Sequence, residues 1–415
     1  MKVLWLCNIV LPDYCSFYGF RKNPVGGWMS GMLHQLESEA EIAFCFPIKD
    51  SIYAKDGVYN QHKIYSFPFY NSDYKEQVKD RFVHILKDFQ PDLIHIWGTE
   101  YPHSLAMVCA AEELGMIERT VINIQGLVSV YADHYFADIP QKYLTMKVQG
   151  FATIEEEQRD FIHRGNYEIQ ALQKVRHVIG RTDWDQACVK RINPNVNYYF
   201  CNEILREGFY HHVNEWKYED CARHTIFMSQ ASYPVKGLHY LLKVLPDLLK
   251  DFPDLHVYVG GTDIMLPNQD GFIRPYGMYL NSLMSGHSLF DSISFVGLLG
   301  EEEMIGQYLR ANIYLSASTI ENESNSLSEA ALIGCPRVYS LVGGVVNRAD
   351  YLNGSAYQHN EVNMLSFYIK ETFLKSHFES DSSRILDVVH KKRNSETTAN
   401  IYRRIQSYCT YTHEQ

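Results

Sequence analysis

The sequence lacks a hydrophobic run long enough to cross a membrane, and it lacks an excess of positive charge. No stretch reaches the roughly 18 consecutive apolar residues that a membrane-spanning helix needs. The chain has 38 Lys and Arg against 49 Asp and Glu, which gives a formal net charge of −11. Nucleic acids and anionic membranes are bound through clustered basic side chains, so this balance argues against a nucleic-acid binder and against broad electrostatic adhesion to membranes.

The cysteines lack the spacing of a disulfide framework or a zinc site. There are nine of them, they are scattered, and no two are spaced as C-x-x-C. We therefore expect reduced thiols, a cytoplasmic protein and no bound metal. The apolar N-terminus has no small-residue cleavage site and runs into Pro12 and Asp13. It therefore predicts a buried first strand rather than a signal peptide.

The composition is that of an ordinary globular protein with many tyrosines. Of the 415 residues, 46% are hydrophobic and 21% are charged, and 30 are Tyr. At roughly 100–200 residues per domain, this length favours two domains. Tyrosine is common in sugar sites and equally useful in an ordinary core. The tyrosine-rich stretch from Tyr131 to Tyr167 is therefore either part of a sugar site or ordinary packing.

Short apolar segments alternate with amphipathic helical patterns along most of the chain, which predicts parallel sheets covered by helices. We expect two doubly wound Rossmann-like α/β domains. The first is predicted to span 1–204, with the tail 394–415 returning to it, and the second 205–393. The pattern is irregular from Asp138 to Arg176, where we expect helices that cover the first domain. Predicted strands include Val3–Val10, Leu93–Trp97, Thr225–Met228 and Ile313–Ser316.

Parallel sheets of this kind bind ligands beyond the carboxyl ends of their strands. Where two such sheets face each other, the cleft between them is the natural site for a small ligand. The fold pattern alone therefore predicts a two-part small ligand, with one part held by each domain.

Two glutamates separated by seven residues form the most informative motif. Glu321 lies in a loop after the predicted strand Ile313–Ser316, and Glu329 lies in the first turn of a helix that begins near Asn325. The free amides of a helix start can bind a diphosphate, and the two carboxylates can accept hydrogen bonds from sugar hydroxyls. Alternatively, Ser326 to Glu329 form a capping box in which Glu329 only reaches back to a backbone N–H.

Two further motifs each precede a predicted helix. Lys236-Gly237 follows a strand, and Lys236 by itself could be an exposed lysine of a first helical turn. Gly26-Gly27 follows the first strand, where glycines permit a ligand to approach the backbone closely, although Gly-Gly also forms ordinary turns.

Together these motifs resemble the family-4 glycosyltransferases, which are retaining enzymes of the GT-B fold. The Glu321-x7-Glu329 element followed by Ala330 carries the resemblance, with Lys236-Gly237 upstream. The resemblance implies two Rossmann-like domains that face each other across a cleft, the first on the acceptor side and the second binding the nucleotide sugar. It also implies a C-terminal helix that crosses back to the first domain.

The resemblance implies a role for each matched residue. Glu321 would contact the transferred sugar, Glu329 the nucleotide ribose, and Lys236 would neutralise the diphosphate. Further donor contacts are implied at Asn325, Ser326, Leu327, Gly26, Gly27 and Gly297.

The sequence departs from the family pattern at two places. An Arg usually lies about five residues before the Lys, where this chain has Ala231, and Arg223 and Arg348 are the candidate substitutes. A His near the sugar is replaced by Gln125, which can hydrogen-bond a hydroxyl but cannot act as a titrating base. His134 is a more distant candidate for sugar or acceptor contact.

The function implied is metal-independent, retaining transfer of a hexosyl group from a nucleotide-diphosphate sugar to an acceptor hydroxyl. No cofactor is expected besides the donor substrate. The resemblance implies work in polysaccharide or glycoconjugate assembly, with a glycan or lipid-linked acceptor and peripheral contact at the inner face of the membrane. Two alternatives stay open: a nucleotide-sugar epimerase or hydrolase of the same fold, and a non-catalytic nucleotide-sugar-binding protein.

Overall fold

The computed structural model describes residues 1–21, 26–285, 289–348, 352, 354–375 and 395–412. The chain divides into two compact units, each built on its own sheet. The first unit comprises Met1–Ala132, Asp160–Leu205 and Val389–Gln415, and the second comprises Asp133–Arg159 and Arg206–Val388. Among the described helices, none combines the length and apolar character needed to span a bilayer.

The first unit contains an eight-stranded sheet. Its strands are β1 (Lys2–Leu6), β2 (Glu41–Ile48), β3 (Gly57–Tyr59), β4 (His62–Pro68), β5 (Leu93–Trp97), β6 (Thr120–Asn123), β7 (His177–Gly180) and β8 (Asn197–Phe200). The strand order is β3-β4-β2-β1-β5-β6-β7-β8, and every pair is parallel except β3 with β4.

The second unit contains a six-stranded sheet in which every pair is parallel. Its strands are β9 (Thr225–Met228), β10 (His256–Gly260), β11 (Ile293–Gly297), β12 (Ile313–Ser316), β13 (Arg337–Ser340) and β14 (Ser355–Tyr357). The order is β11-β10-β9-β12-β13-β14, so the chain starts in the middle of the sheet and builds outwards on both sides. The two parallel-sheet α/β domains predicted from the alternating pattern are confirmed.

Helices connect the strands in both units. They are α1 (Gly27–Leu36), α2 (Glu76–Phe89), α3 (His103–Glu113), α4 (Val128–Tyr131), α5 (Gln141–Leu144), α6 (Ile154–Lys174), α7 (Asp183–Ile192), α8 (Glu207–His211), α9 (Leu238–Asp251), α10 (Pro275–Ser285), α11 (Glu301–Arg310), α12 (Asn325–Ile333), α13 (Val362–Leu374) and α14 (Ser395–Thr412).

Amphipathic spacing explains why these helices pack on the sheets. In α2, Val78, Phe82 and Leu86 are buried together against the first sheet, and each such side chain contributes roughly 1.5–3 kcal/mol through burial. The helix ends at Phe89 and is followed by Gln90, which has a left-handed backbone, and then by Pro91. Pro91 disfavours a helical conformation for the residue before it.

The C-terminal helix α14 belongs to the first unit, as the fold assignment predicted. Its Tyr402 hydroxyl hydrogen-bonds Nδ1 of His95 in the middle of β5, and its Thr398 hydroxyl contacts Sγ of Cys201 at 3.2 Å. Burial lowers the pKa of His95 to about 3, so this histidine is a neutral core residue.

The division into units differs from the predicted boundaries in one stretch. The residues expected to cover the first domain belong to the second unit as far as Arg159. The Tyr143 ring packs against Tyr279 on α10 with 4.9 Å between centroids, and His239 on α9 donates from Nε2 to the carbonyl of Ala137 at 2.6 Å. These buried contacts with α9 and α10 attach the stretch to the second unit. The predicted junction near residue 393 lies outside the described residues.

Candidate functional site

Lys236 lies where the chain leaves the carboxyl end of β9. A short 3-10 turn, Pro234–Lys236, leads into Gly237, which has a φ of +73°. A Cβ atom on Gly237 would lie 2.0 Å from the carbonyl oxygen of Ala317, just after β12. Only glycine permits both the left-handed conformation and this approach. The Lys-Gly motif therefore brings Lys236 close to the loop that follows β12.

That loop carries Glu321, and the structure brings it together with Lys236. Nζ of Lys236 lies 2.5 Å from Oε1 of Glu321, and the Ser318 hydroxyl donates to the same oxygen at 2.8 Å. The loop after β13 holds Glu321 from the other side, since Gly344 donates its N–H to the Glu321 carbonyl at 3.0 Å. Gly343 is needed there, because a Cβ would lie 2.0 Å from that carbonyl oxygen.

Glu329 is buried and paired with an arginine that sequence reasoning missed. Arg206 donates from Nε to Oε1 of Glu329 at 3.0 Å and from a terminal nitrogen to Oε2 at 2.9 Å. The Tyr308 hydroxyl lies 3.4 Å from Oε2. These two hydrogen bonds fix the plane of the carboxylate, and the guanidinium balances its negative charge. Arg206 and Glu329 are 123 positions apart, so no local motif signals the pair.

The capping-box interpretation of Glu329 is wrong. Helix α12 is capped by Ser324, whose hydroxyl accepts the N–H of Leu327 at 3.3 Å. Glu329 is the fifth residue of the helix, and its carboxylate binds Arg206 rather than the helix start. Leu327 was expected to offer its N–H to a diphosphate, and in this structure the cap already uses that group.

The start of α12 packs on two buried tyrosines. The Tyr308 hydroxyl donates to the carbonyl of Ser326 at 3.0 Å, and the side chain of Ser326 contacts Tyr314. Burial raises the pKa of Tyr314 to about 12, so it remains a neutral hydroxyl that also bonds Ser229 at 3.0 Å. The first turn of α12 therefore packs against side chains of α11 and β12.

Gly297 ends β11 with a φ of +79°, and its carbonyl accepts the N–H of Gly261 at 2.7 Å. A Cβ atom on either glycine would meet no heavy atom within 4 Å. Gly261 and Gly297 therefore leave space beside their backbone, and the donor contact at Gly297 stays a prediction.

His134 lies near the paired residues in the second unit. Its carbonyl accepts the Thr319 hydroxyl at 3.2 Å, and the Thr319 N–H bonds the Val235 carbonyl at 2.9 Å. Thr319 is two positions from Glu321, and Val235 is next to Lys236. Burial lowers the pKa of His134, so its imidazole is neutral near pH 7. The contact with Thr319 brings His134 near Glu321, although the two residues are far apart in the sequence.

Arg274 is the second cation that sequence reasoning missed. It directly precedes α10 and donates to the carbonyl of Ser232 at 3.3 Å, four positions before Lys236. Of the two substitutes considered, Arg223 stacks on the ring of Tyr218 at 4.0 Å, and the side chain of Arg348 lies outside the described residues. A long loop separates Arg274 from the end of β10. No fixed spacing from that strand therefore identifies Arg274 in the sequence.

The remaining predicted residues lie in the first unit. Gly26 caps α1 with a φ of +89°, and a Cβ there would lie 2.6 Å from Cδ1 of Ile9. Gly27 is the first residue of that helix, and residues 22–25, which precede the two glycines, lie outside the described residues. Gln125 donates from Nε2 to Oδ1 of Asn123 at 2.8 Å.

Metal-ligating side chains do not cluster in the described ranges. Within them, no group of three or more His, Cys, Asp or Glu side chains is arranged to hold a metal ion.

A family model and several known proteins match the chain. Residues 219–381 match the model for glycosyl transferases group 1, which covers Lys236, Glu321 and Glu329. A human phosphatidylinositol N-acetylglucosaminyltransferase subunit is 26% identical over 110 residues, 26% of this chain and 20% of that protein. Alpha-monoglucosyldiacylglycerol synthase from Streptococcus pneumoniae is 23% identical over 310 residues, 73% of this chain and 64% of that protein. The chain thus spans less than two thirds of the length of these curated relatives.

Solved structures share the fold across the whole chain. Sucrose-phosphate synthase from Thermosynechococcus elongatus superposes with a TM-score of 0.67 and 13% identity over 100% of both chains. HepE from Anabaena, solved with UDP-glucose, superposes with a TM-score of 0.64 and 15% identity over 98% of this chain and 100% of that one. At these identities the likeness concerns the fold. The family-model match over residues 219–381 and the shared fold confirm the resemblance to the family-4 glycosyltransferases that the motifs predicted.

Proposed function

We propose that the protein transfers a hexosyl group from a nucleoside-diphosphate sugar to an acceptor hydroxyl, with retention at the anomeric carbon. The observation that carries this proposal is the contact between Lys236 and Glu321, next to the start of α12 and inside the matched group 1 region. A cation, a carboxylate and a helix start at one sheet edge suit the three parts of such a donor.

The roles follow from chemistry. Lys236 and the first turn of α12 stabilise the negative charge that develops on the departing diphosphate. Glu321 orients the sugar and stabilises its positive charge as the bond from C1 to the phosphate oxygen breaks. The acceptor oxygen bonds to C1, and its proton passes to the leaving phosphate oxygen. Glu329, held by Arg206, accepts hydrogen bonds from the ribose hydroxyls.

Arg274 and His134 extend this assignment. Arg274 hydrogen-bonds the loop that carries Lys236, so we assign it the second positive charge near the diphosphate. Its position supports that role in place of the missing arginine at Ala231. The neutral imidazole of His134 can donate or accept a hydrogen bond to the sugar or the acceptor. The cations come from the protein, so the proposed step needs no metal ion or other cofactor.

The acceptor and the setting are part of the same proposal. The names of two relatives, a glucosyldiacylglycerol synthase and a phosphatidylinositol N-acetylglucosaminyltransferase, both specify lipid acceptors. We propose a glycan or lipid-linked acceptor, polysaccharide or glycoconjugate assembly, and work in the cytoplasm at the inner face of the membrane.

Incubation with a panel of nucleotide sugars tests the reaction. Transfer enlarges an acceptor, whereas hydrolysis only releases free sugar, and NMR of the new glycosidic bond reports whether the anomeric configuration is retained. Epimerisation would leave the donor mass unchanged, so an unchanged mass with a new sugar configuration would contradict the proposal. Donor binding without any turnover by a folded protein would favour a non-catalytic nucleotide-sugar binder instead.

A further inference from the structure

The first unit contains a pocket that the proposed donor site does not use. Its volume is about 410 Å³, within the range of small-molecule sites. It lies beyond the carboxyl ends of β1 and β2, where parallel sheets bind ligands. Asn8 follows β1, and Lys49 directly follows the last residue of β2.

Two cations line this pocket. They are Arg21 and Lys49, both with exposed side chains. Within the described part of the chain, neither forms an ion pair with an acidic side chain. Asp50 also lines the pocket, but one of its carboxylate oxygens accepts the N–H of Ile52 at 3.1 Å. In a chain with a net charge of −11, two such cations at one pocket favour an anionic ligand.

Aromatic rings form the other walls of the pocket. Nζ of Lys49 lies 5.4 Å from the centre of the Phe69 ring, and Phe69 packs edge-on against Tyr101 at 5.0 Å. Phe20 packs edge-on against Tyr53 at 5.2 Å. Flat apolar rings beside a charge suit the face of a sugar or an alkyl chain that carries an anionic group.

The rim continues into a second cavity and an exposed apolar turn. A cavity of about 800 Å³ shares Lys49 and Phe69 with the pocket. The turn Ser51–Tyr53 borders both cavities, and Ile52 on it is 75% exposed. Isolated exposed apolar side chains are common, but this one adjoins a charged pocket that opens to solvent.

We propose that this pocket binds the anionic group, a phosphate or carboxylate, of the acceptor, and that Lys49 and Arg21 hold it. The identification of the ligand as the acceptor rests on the proposed function. The anion site itself is inferred from the pocket alone. The same chemistry arises from a free sugar phosphate and from an anionic lipid headgroup.

Two binding assays on the full chain distinguish these sources. The first titrates glucose 6-phosphate against glucose by calorimetry. The second measures co-sedimentation with phosphatidylcholine vesicles, with and without phosphatidic acid. The double variant Lys49→Gln, Arg21→Gln removes the two cations of the pocket. Its matched control, Lys87→Gln, Arg191→Gln, removes two exposed positive charges elsewhere in the same unit.

We expect the wild type to prefer the anionic probe in one of the two assays, which identifies the source. The pocket variant should bind that probe roughly tenfold more weakly, because each charge-assisted hydrogen bond contributes strongly to affinity, and the control should bind it like the wild type. Equal binding of anionic and neutral probes in both assays would overturn the proposal. So would an equal loss in the control variant.

The same preparations are titrated with UDP, GDP and ADP. Nucleotide binding without preference for an anionic probe would reject the pocket proposal and leave the donor site standing. Anion binding by a protein that binds none of the nucleotides would reject the proposed function and retain the anion site. The two failures are therefore read from separate measurements.

Discussion

Nζ of Lys236 lies 2.5 Å from Oε1 of Glu321, 85 positions along the chain. The two side chains come from loops at the carboxyl ends of β9 and β12, which are neighbours in the sheet. Their opposite charges neutralise each other at this contact. Under the proposed function, a bound donor inserts between them, with the phosphates towards the lysine and the sugar towards the carboxylate.

The first prediction concerns Glu321. Glu321→Gln preserves the shape of the side chain but removes its charge, so the transition state loses its counter-charge. We expect kcat to fall roughly 10²–10³-fold, as when one preorganised electrostatic group is removed from an enzyme. Nucleoside diphosphate binding should stay within a few-fold of the wild type. The exposed Glu302→Gln on α11 is the control. Unchanged kcat in Glu321→Gln would contradict the role assigned to this residue.

The second prediction concerns the buried pair of Arg206 and Glu329. Only 14% of the Arg206 side chain and 5% of the Glu329 side chain are exposed. Arg206→Met leaves a buried carboxylate uncompensated, and we expect the free energy of unfolding to fall by about 3 kcal/mol. The double variant with Glu329→Leu should recover part of that loss while losing nucleotide affinity.

Denaturant titration of both single variants and the double variant measures this coupling. Lys63→Met is the control, since it removes one partner of the exposed pair with Asp88, which we expect to matter by less than about 1 kcal/mol. Additive losses in the Arg206 and Glu329 variants would mean that the two side chains do not depend on each other.

The third prediction concerns the glycine after Lys236. Gly237→Ala must place a methyl group 2.0 Å from the Ala317 carbonyl oxygen at a φ of +73°, so the loop has to move. The control is Gly271→Ala: Gly271 has a similar φ of +84°, and its added Cβ would meet no heavy atom within 4 Å. This control measures only the cost of a left-handed backbone for alanine, about 1 kcal/mol. We expect Gly237→Ala to lower the melting temperature further and to weaken nucleotide binding. Equal effects of the two substitutions would show that the close contact is unimportant.

The fourth prediction concerns a carboxyl group in the first unit. Burial, together with the nearby charge of Glu168, raises the pKa of Glu100 to about 7, and Nδ2 of Asn8 donates to Glu100 at 2.6 Å. The folded protein therefore holds a proton that the unfolded chain loses near pH 4.5, so stability falls as pH rises from about 4.5 to 7.

Glu100→Gln removes this dependence at one group. We expect it to stabilise the protein by up to roughly 3 kcal/mol at pH 8 and to have little effect at pH 4.5, as follows from about 1.4 kcal/mol per tenfold change in proton affinity. Melting temperatures across this pH range measure the difference, with the exposed Glu41→Gln as the control. A stabilisation of equal size at both pH values would contradict the assignment.

Local periodicity was enough to predict most of the fold. β5 and β12 were predicted at the bounds that the structure shows, because each is a short apolar run between turn residues. The edge strands β3 and β14 were not predicted, since each has only three residues, and β4, which lies between β3 and β2, was also not predicted. The stretch before Arg159 was misassigned because α6 runs through both units, and only tertiary contacts such as Tyr143 with Tyr279 decide which core it joins.

The candidate site divides in the same way. Lys236, Glu321 and Glu329 were identified because the Lys-Gly pair and the two glutamates separated by seven residues are local motifs. Arg206 and Arg274 were missed, because their partners lie 123 and 42 positions away and an isolated arginine carries no local signal. The functional roles of all five residues remain predictions until they are measured.

The most direct test of the central claim is calorimetric titration of the folded protein with UDP, GDP and ADP. We predict that at least one of them binds, and that Lys236→Ala and Glu329→Ala each weaken this binding by roughly tenfold or more, as expected for the loss of a charge-assisted hydrogen bond. The exposed control Lys87→Ala should bind like the wild type. Absence of binding by all three nucleotides, or wild-type affinity in the Lys236→Ala and Glu329→Ala variants, would contradict the account.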